Sequence, residues 1–271
     1  NGTGANELDA FIDMIFSKSV VVSEYICRRL YRFFVYYDID ANVESNIITP
    51  LAQIFVSNNW DILPVLDTLF KSEHFYDMAN RGVYIKSPFD LVIGSVRTFN
   101  LNTNVSDPAN YNAQYSIWDN LNTGFLLPME QVMGTIPNVS GWNAFYQQPS
   151  FHEYWINSTT TQKRFGFFNS IFNGFNRTYN GLTTRIEVDV ILWTQQFPNS
   201  SISNPDLLVD LCVKHLLPVD LSATFKNTLK VQNLLTNQTD NNYWTSGWNN
   251  YISNPTTTSI VKPRLNRLLL T

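Results

Sequence analysis

The stretch Lys86-Ser87-Pro88-Phe89-Asp90-Leu91-Val92-Ile93-Gly94-Ser95-Val96-Arg97-Thr98-Phe99 decides the fold class. It opens with a complete helix start. Ser87 can accept a hydrogen bond from a first-turn backbone N–H. Pro88 fits the first helical position, where no donor is needed. Asp90 stands three residues after the cap, where a capping box places its acidic member. Leu91, Val92, Val96 and Phe99 then form an apolar stripe, so the spacing predicts a helix to about Phe99. Gly94 in mid-helix costs about 1 kcal/mol relative to Ala, which points to a close approach at that face.

Toward the N-terminus the same period recurs. Leu8, Phe11, Ile12, Ile15 and Phe16 make one helical face, with Asn6 as its N-cap. Val22, Ile26, Leu30, Phe33, Phe34 and Tyr37 make a second, with Glu24 and Arg28 spaced for an ion pair. Ile47, Leu51, Ile54 and Phe55 predict a third helix, with Pro50 acceptable near its first turn. A fourth follows Asp61, with Ile62, Leu66, Leu69 and Phe70 facing inward.

Toward the C-terminus, residues 100–113 are rich in Asn, Asp and Pro and read as a long loop. Tyr111, Tyr115, Trp118 and Leu121 suggest a helix after it. Residues 134–160 read as a long irregular segment, a common seat of function. A helix is expected over 161–175 and a short strand where Ile186, Val188 and Val190 alternate with Glu187 and Asp189. Asn204 caps a helix carrying Leu207, Leu208, Leu211, Cys212 and His215. Further helices span 222–235 and about 258 to the end. The class is mainly α, an irregular multi-helix bundle with long loops and little or no β. Residues 1–271 are expected to form a single helical domain with a soft internal boundary near 100–113.

Only 15% of residues are charged and the net charge is −4, against about 25% charged in an ordinary domain. No nucleic-acid binding is expected, because phosphates demand clustered Lys and Arg. No apolar run is long enough for a transmembrane segment. Asn occurs 32 times, giving an amide-rich surface attributed to turns. Cys27 and Cys212 sit on apolar helix faces and read as buried thiols, with one disulfide as the alternative. His74, His152 and His215 are the only histidines, so no metal site and no cofactor are expected.

Several of these segments resemble one family. Tyr25-Ile26-Cys27-Arg28-Arg29-Leu30-Tyr31-Arg32-Phe33-Phe34-Val35, Ser72-Glu73-His74-Phe75-Tyr76-Asp77, Lys86-Ser87-Pro88 with Arg97, Pro137-Asn138-Val139-Ser140-Gly141-Trp142, and Trp155-Ile156-Asn157-Ser158 with Arg164 are similar, in order and spacing, to motifs of the bacterial domain-of-unknown-function 1800 family, in its Bacteroidetes-type version. The match runs over roughly residues 5–235. Asp90 stands where Glu is usual, Thr135-Ile136 replaces an apolar-Pro pair, and an insertion near Phe145-Tyr146 separates Trp142 from Trp155. The resemblance implies a mostly helical, exported protein (periplasmic or cell-surface) with no established activity. It also implies that this chain is the C-terminal portion of a longer one, and that a sulfatase-like secreted protein is its partner.

Two constellations are candidate binding residues. Lys86, Asp90 and Arg97 form a stripe able to hold an anion or substrate; the alternative is that Asp90 caps the helix and Arg97 ties down the neighbouring loop. Trp142, Trp155, Asn157 and Arg164 offer aromatic faces, an amide and a guanidinium suited to a sugar ring; the alternative is an indole that plugs the core. Adjacent Glu73 and His74, like His152 and Glu153, are poorly placed as acid–base pairs, and no nucleophile or phosphate-loop motif occurs. The leading expectation is a binding or assembly module with an aromatic- and amide-lined cleft near 137–164 and carbohydrate as its ligand. The runner-up is a glycan-directed hydrolase using Asp90 and Glu153, which need carboxyls about 5–9.5 Å apart. The third is a structural partner of the sulfatase-like protein. Whether the chain is an enzyme is left open.

Overall fold

The structure is a computed structural model and describes residues 4–103 and 111–271. It is mainly α, and the one sheet among the described residues is a two-stranded hairpin. The chain forms two compact units. One is Asn1–Tyr84 with Gln148–Phe151, and the other is Ile85–Gln147 with His152–Thr271. The division therefore falls at Tyr84/Ile85 and not in the 100–113 segment, of which 104–110 lies outside the described residues.

The first unit contains α1 (Glu7–Ser17), α2 (Ser19–Phe34), the short α3 (Ala41–Val43), α4 (Thr49–Ser57) and α5 (Ile62–Lys71). Asp40 caps α3 by accepting from the Val43 N–H at 2.7 Å. A π-helical turn, Glu44–Ile48, then leads into α4 with Pro50 in its first turn. Asp61 caps α5 through the Leu63 N–H at 2.9 Å. The core gathers Cys27, Tyr31, Ile48, Leu51, Phe55, Val65 and Leu69.

The rotation of α2 differs from the apolar spacing. Its buried row is Ser23, Cys27 and Tyr31, while Phe33 is 70% exposed. The Arg28 Nε lies 2.9 Å from Glu44 and its Nη2 3.0 Å from Glu24, so the ion cluster ties α2 to the turn before α4. Tyr31 shares a 2.8 Å hydrogen bond with Nε2 of His74, which satisfies a polar tip inside the core. The face of α1 is apolar but none of its residues is buried, and Asn6 makes no side-chain cap.

The second unit holds α6 (Pro88–Thr98), α7 (Tyr111–Asn120), α8 (Asn143–Tyr146), α9 (Ser158–Asn173), β1 (Phe175–Tyr179), β2 (Leu182–Ile186), α10 (Val190–Thr194), α11 (Asn199–Ser203), α12 (Pro205–Leu216), α13 (Ala223–Leu229), α14 (Asn242–Ser253) and α15 (Val261–Leu270). The helix expected from Tyr111, Tyr115 and Trp118 is α7. It buries Ala113, Ser116 and Ile117, followed by Leu121, whereas Tyr111, Tyr115 and Trp118 face outward.

The hairpin was not expected. Asn180 and Gly181 both have positive φ, 48° and 82°, the turn that an Asn-Gly pair favours between twisted strands. Phe175 pairs with Ile186 and Tyr179 with Leu182. The alternation at 186–190 reported burial rather than a strand. Ile186 ends β2, Val188 donates its N–H to the Ile171 carbonyl at 2.8 Å, and Val190 begins α10, all three fully buried. The Asn-rich tail after 237 is likewise a helix, α14. Trp244 and Trp248 are fully buried, donating to the Ile202 carbonyl at 2.7 Å and to Asn199 Oδ1 at 2.6 Å, while Asn242, Asn249 and Asn250 face solvent.

Cys27 and Cys212 are free and buried. Burial pushes the Cys27 thiol up to about 11 and the Cys212 thiol up to about 12, so the reactive thiolate is scarce at neutral pH. Iodoacetamide at pH 8 should leave both cysteines of the native chain unmodified over minutes and alkylate both after denaturation, as intact mass reads directly.

Candidate functional site

The entry to α6 is held by side chains from three distant segments. The Ile85 N–H donates to Nδ1 of His152 at 3.2 Å. The Lys86 carbonyl accepts from Nη2 of Arg164 at 2.8 Å. The Phe89 N–H, which has no partner within the helix, donates to Oε1 of the buried Gln131 at 2.8 Å. Ser87 completes the cap, accepting from the Asp90 N–H at 3.1 Å and donating its hydroxyl to the Asp90 carboxylate at 2.8 Å. His152 is buried, and desolvation lowers its pKa against a weaker upward pull from Glu153. The neutral ring therefore presents Nδ1 as the acceptor.

The start of α9 is built in the same way. Oδ1 of Asn157 accepts from the N–H groups of Thr159 and Thr160 at 2.9 and 2.8 Å. Thr160 Oγ1 in return accepts from the Asn157 N–H at 2.9 Å and donates to the Trp155 carbonyl at 3.0 Å. Trp155 is 4% exposed and packs edge-on against Phe145, so its indole offers no face to a ligand. Trp142 is half-buried at the head of α8. Arg164 makes no ion pair among the described residues, and burial lowers its pKa.

Six of the seven candidate residues thus lie along the starts of α6, α8 and α9, where Asp90, Asn157, Trp155 and Arg164 are engaged in holding the chain. Arg97 stands apart at the other end of α6. It lines a cleft of about 570 Å³ with Asn100, Asn102, Trp118, Glu187 and Asp189. Arg97 is exposed and in no ion pair among the described residues.

The two carboxylates of the cleft are fixed. Glu187 meets Arg185 Nε and Lys262 Nζ, each at 2.6 Å. Burial pushes its carboxyl up, but the hydrogen bonds from Lys262 and Arg185 together outweigh this and hold it below the ordinary 4.5. Asp189 caps α10, accepting from Ile191 and Leu192 at 3.2 and 3.0 Å. Trp118, 37% exposed, is the aromatic wall. In the sequence Trp118 marks only a helix, the asparagines read as turns, and the carboxylates alternate with apolar residues as in a strand. The cleft draws on several separate segments, so no local spacing announces it. Asp90 and Glu153 do not line it.

The close approach expected at Gly94 is also corrected: a Cβ there would meet no protein atom within 4 Å. That face opens into a second, apolar cavity of about 430 Å³. Among the described residues no three His, Cys, Asp or Glu side chains converge as metal ligands would.

Two outcomes are expected. Gln131→Ala strands the buried Phe89 N–H and should cost about 1–3 kcal/mol in urea unfolding. Glu187 titrates lower in the folded chain than its ordinary 4.5. Its contribution to stability is therefore complete above about pH 4.5 and is lost as pH falls through the depressed folded value. Glu187→Gln should destabilise the chain at pH 7 and flatten the acid limb of its stability profile.

A family model described as "Protein of unknown function (DUF1800)" matches residues 1–263. No curated protein and no solved structure matches the chain. With nearly its whole length matched, the chain belongs to the DUF1800 family of proteins of unknown function.

Proposed function

We propose that this chain is a binding module and that its ligand site is the Arg97 cleft, with carbohydrate as the ligand class. The observation that carries the reading is the presence, in one open cleft, of an exposed Trp118 wall and an exposed Arg97 guanidinium that makes no ion pair among the described residues. An indole face stacks on the apolar face of a sugar ring. The Asn100 and Asn102 amides and the Arg97 fork supply directional donors and acceptors for hydroxyls. The cleft volume falls within the usual span of ligand sites, about 300–1,000 Å³.

The same electrostatics favour binding over glycoside hydrolysis. A hydrolase needs one carboxyl raised enough to donate a proton. Glu187 is held in the opposite direction by Lys262 and Arg185, and Asp189 is committed to the start of α10. The resemblance carries two further parts of this proposal, export and assembly with a sulfatase-like secreted protein. Co-purification of the two proteins tests the second. No helix among the described residues is long and apolar enough to cross a membrane.

On a glycan array, Arg97→Ala and Trp118→Ala should each lower binding at least tenfold, whereas Trp142→Ala should leave it unchanged. Binding that survives both substitutions in the cleft rejects this site.

A further inference from the structure

The apolar cavity beneath α6 is a different kind of space. Its walls come from α6, α9, α12, α13, α15 and the segment after α12, all within the second unit. Leu91, Phe168, Val209, Val213, Leu229 and Leu268 form much of the lining, and Cys212 adds a buried, unreactive sulfur. Its margin carries Phe165, Leu217 and Phe225, which are 66%, 43% and 50% exposed. Large side chains left in water around an apolar opening mark a surface that something apolar covers.

Two features give the cavity a direction. Gly94 sits in its wall in the middle of α6, and a Cβ at that position would meet open space. Among the described residues no packing partner accounts for a residue that weakens its own helix. Removing the side chain widens the cavity there. The second feature is charge. Among the side chains that line the cavity there is no Asp or Glu, and Lys86 brings the one ammonium. Lys86 makes no ion pair among the described residues. Its backbone is held by Arg164, which places a cation beside the apolar walls. His215, also in the lining, is occupied differently: Nδ1–H donates to the Leu211 carbonyl at 2.8 Å and the ring packs on Phe197.

We propose that this cavity binds a straight-chain acyl carboxylate, with the hydrocarbon chain lying along Gly94 and the carboxylate at Lys86. An apolar space with a lysine ammonium in its lining fits an amphiphile with one anionic head. A neutral hydrocarbon would leave the ammonium unused, and a cationic amphiphile would be repelled by it. The site is separate from the Arg97 cleft and stands whether or not that cleft binds sugar.

Displacement of fluorescent parinarate from the purified chain by laurate tests the assignment, with dodecanol as the uncharged counterpart. Saturable displacement by laurate is expected. Gly94→Leu should weaken laurate at least tenfold without lowering the thermal midpoint. Gly94→Ala adds a Cβ that meets no protein atom, so it keeps the fold and should show a smaller loss in the same direction. Lys86→Gln should weaken laurate several-fold and leave dodecanol unchanged. The proposal is overturned if laurate does not displace the probe, or if both Gly94 variants bind it as the unaltered chain does. Equal losses of laurate and dodecanol in Lys86→Gln would overturn the head-group assignment.

Discussion

The organisation of the second unit depends on how residues 85–90 are anchored. A helix start leaves backbone N–H groups without partners within the helix. Here the chain spends long-range groups on the task. Gln131 takes the Phe89 N–H, His152 takes the Ile85 N–H, and Arg164 covers the Lys86 carbonyl. Each partner comes from a segment at least 40 residues away. The start of α6 therefore cannot form fully until α9 and the irregular stretch before it are in place.

That anchoring gives α6 its functional weight. Its far end presents Arg97 to the Trp118 cleft, and its middle presents Gly94 to the apolar cavity. One helix thus borders two separate spaces. Asn157 and Arg164, residues of the family-like motifs, hydrogen-bond the backbone that holds this arrangement. Recurrence in a motif is as well explained by a backbone that must be held as by a ligand that must be touched.

The mainly helical class was legible from periodicity, and so were the caps at Ser87 and Asn204, though the one expected at Asn6 does not form. Ser87 and Asn204 each accept the backbone N–H groups their positions suggest, because a cap is a contact across two or three residues. The 175–186 hairpin was legible too, in Asn180-Gly181, and so was α14 in the spacing of Trp244, Trp248 and Tyr251. In both places abundant Asn masked the signal: an amide serves equally well in a turn and on the wet face of a helix.

What the amino-acid sequence by itself determined is local: where helices begin, which are amphipathic, and that the surface is neutral and rich in amides. Tertiary structure decided which way each helix turns. In α2, Cys27 and Tyr31 are buried while Phe33 is not. Packing leaves Trp118 37% exposed and Trp155 only 4%. The physical reason is that burial is a property of surfaces meeting across large sequence separations, whereas capping and periodicity are settled within one or two turns of chain.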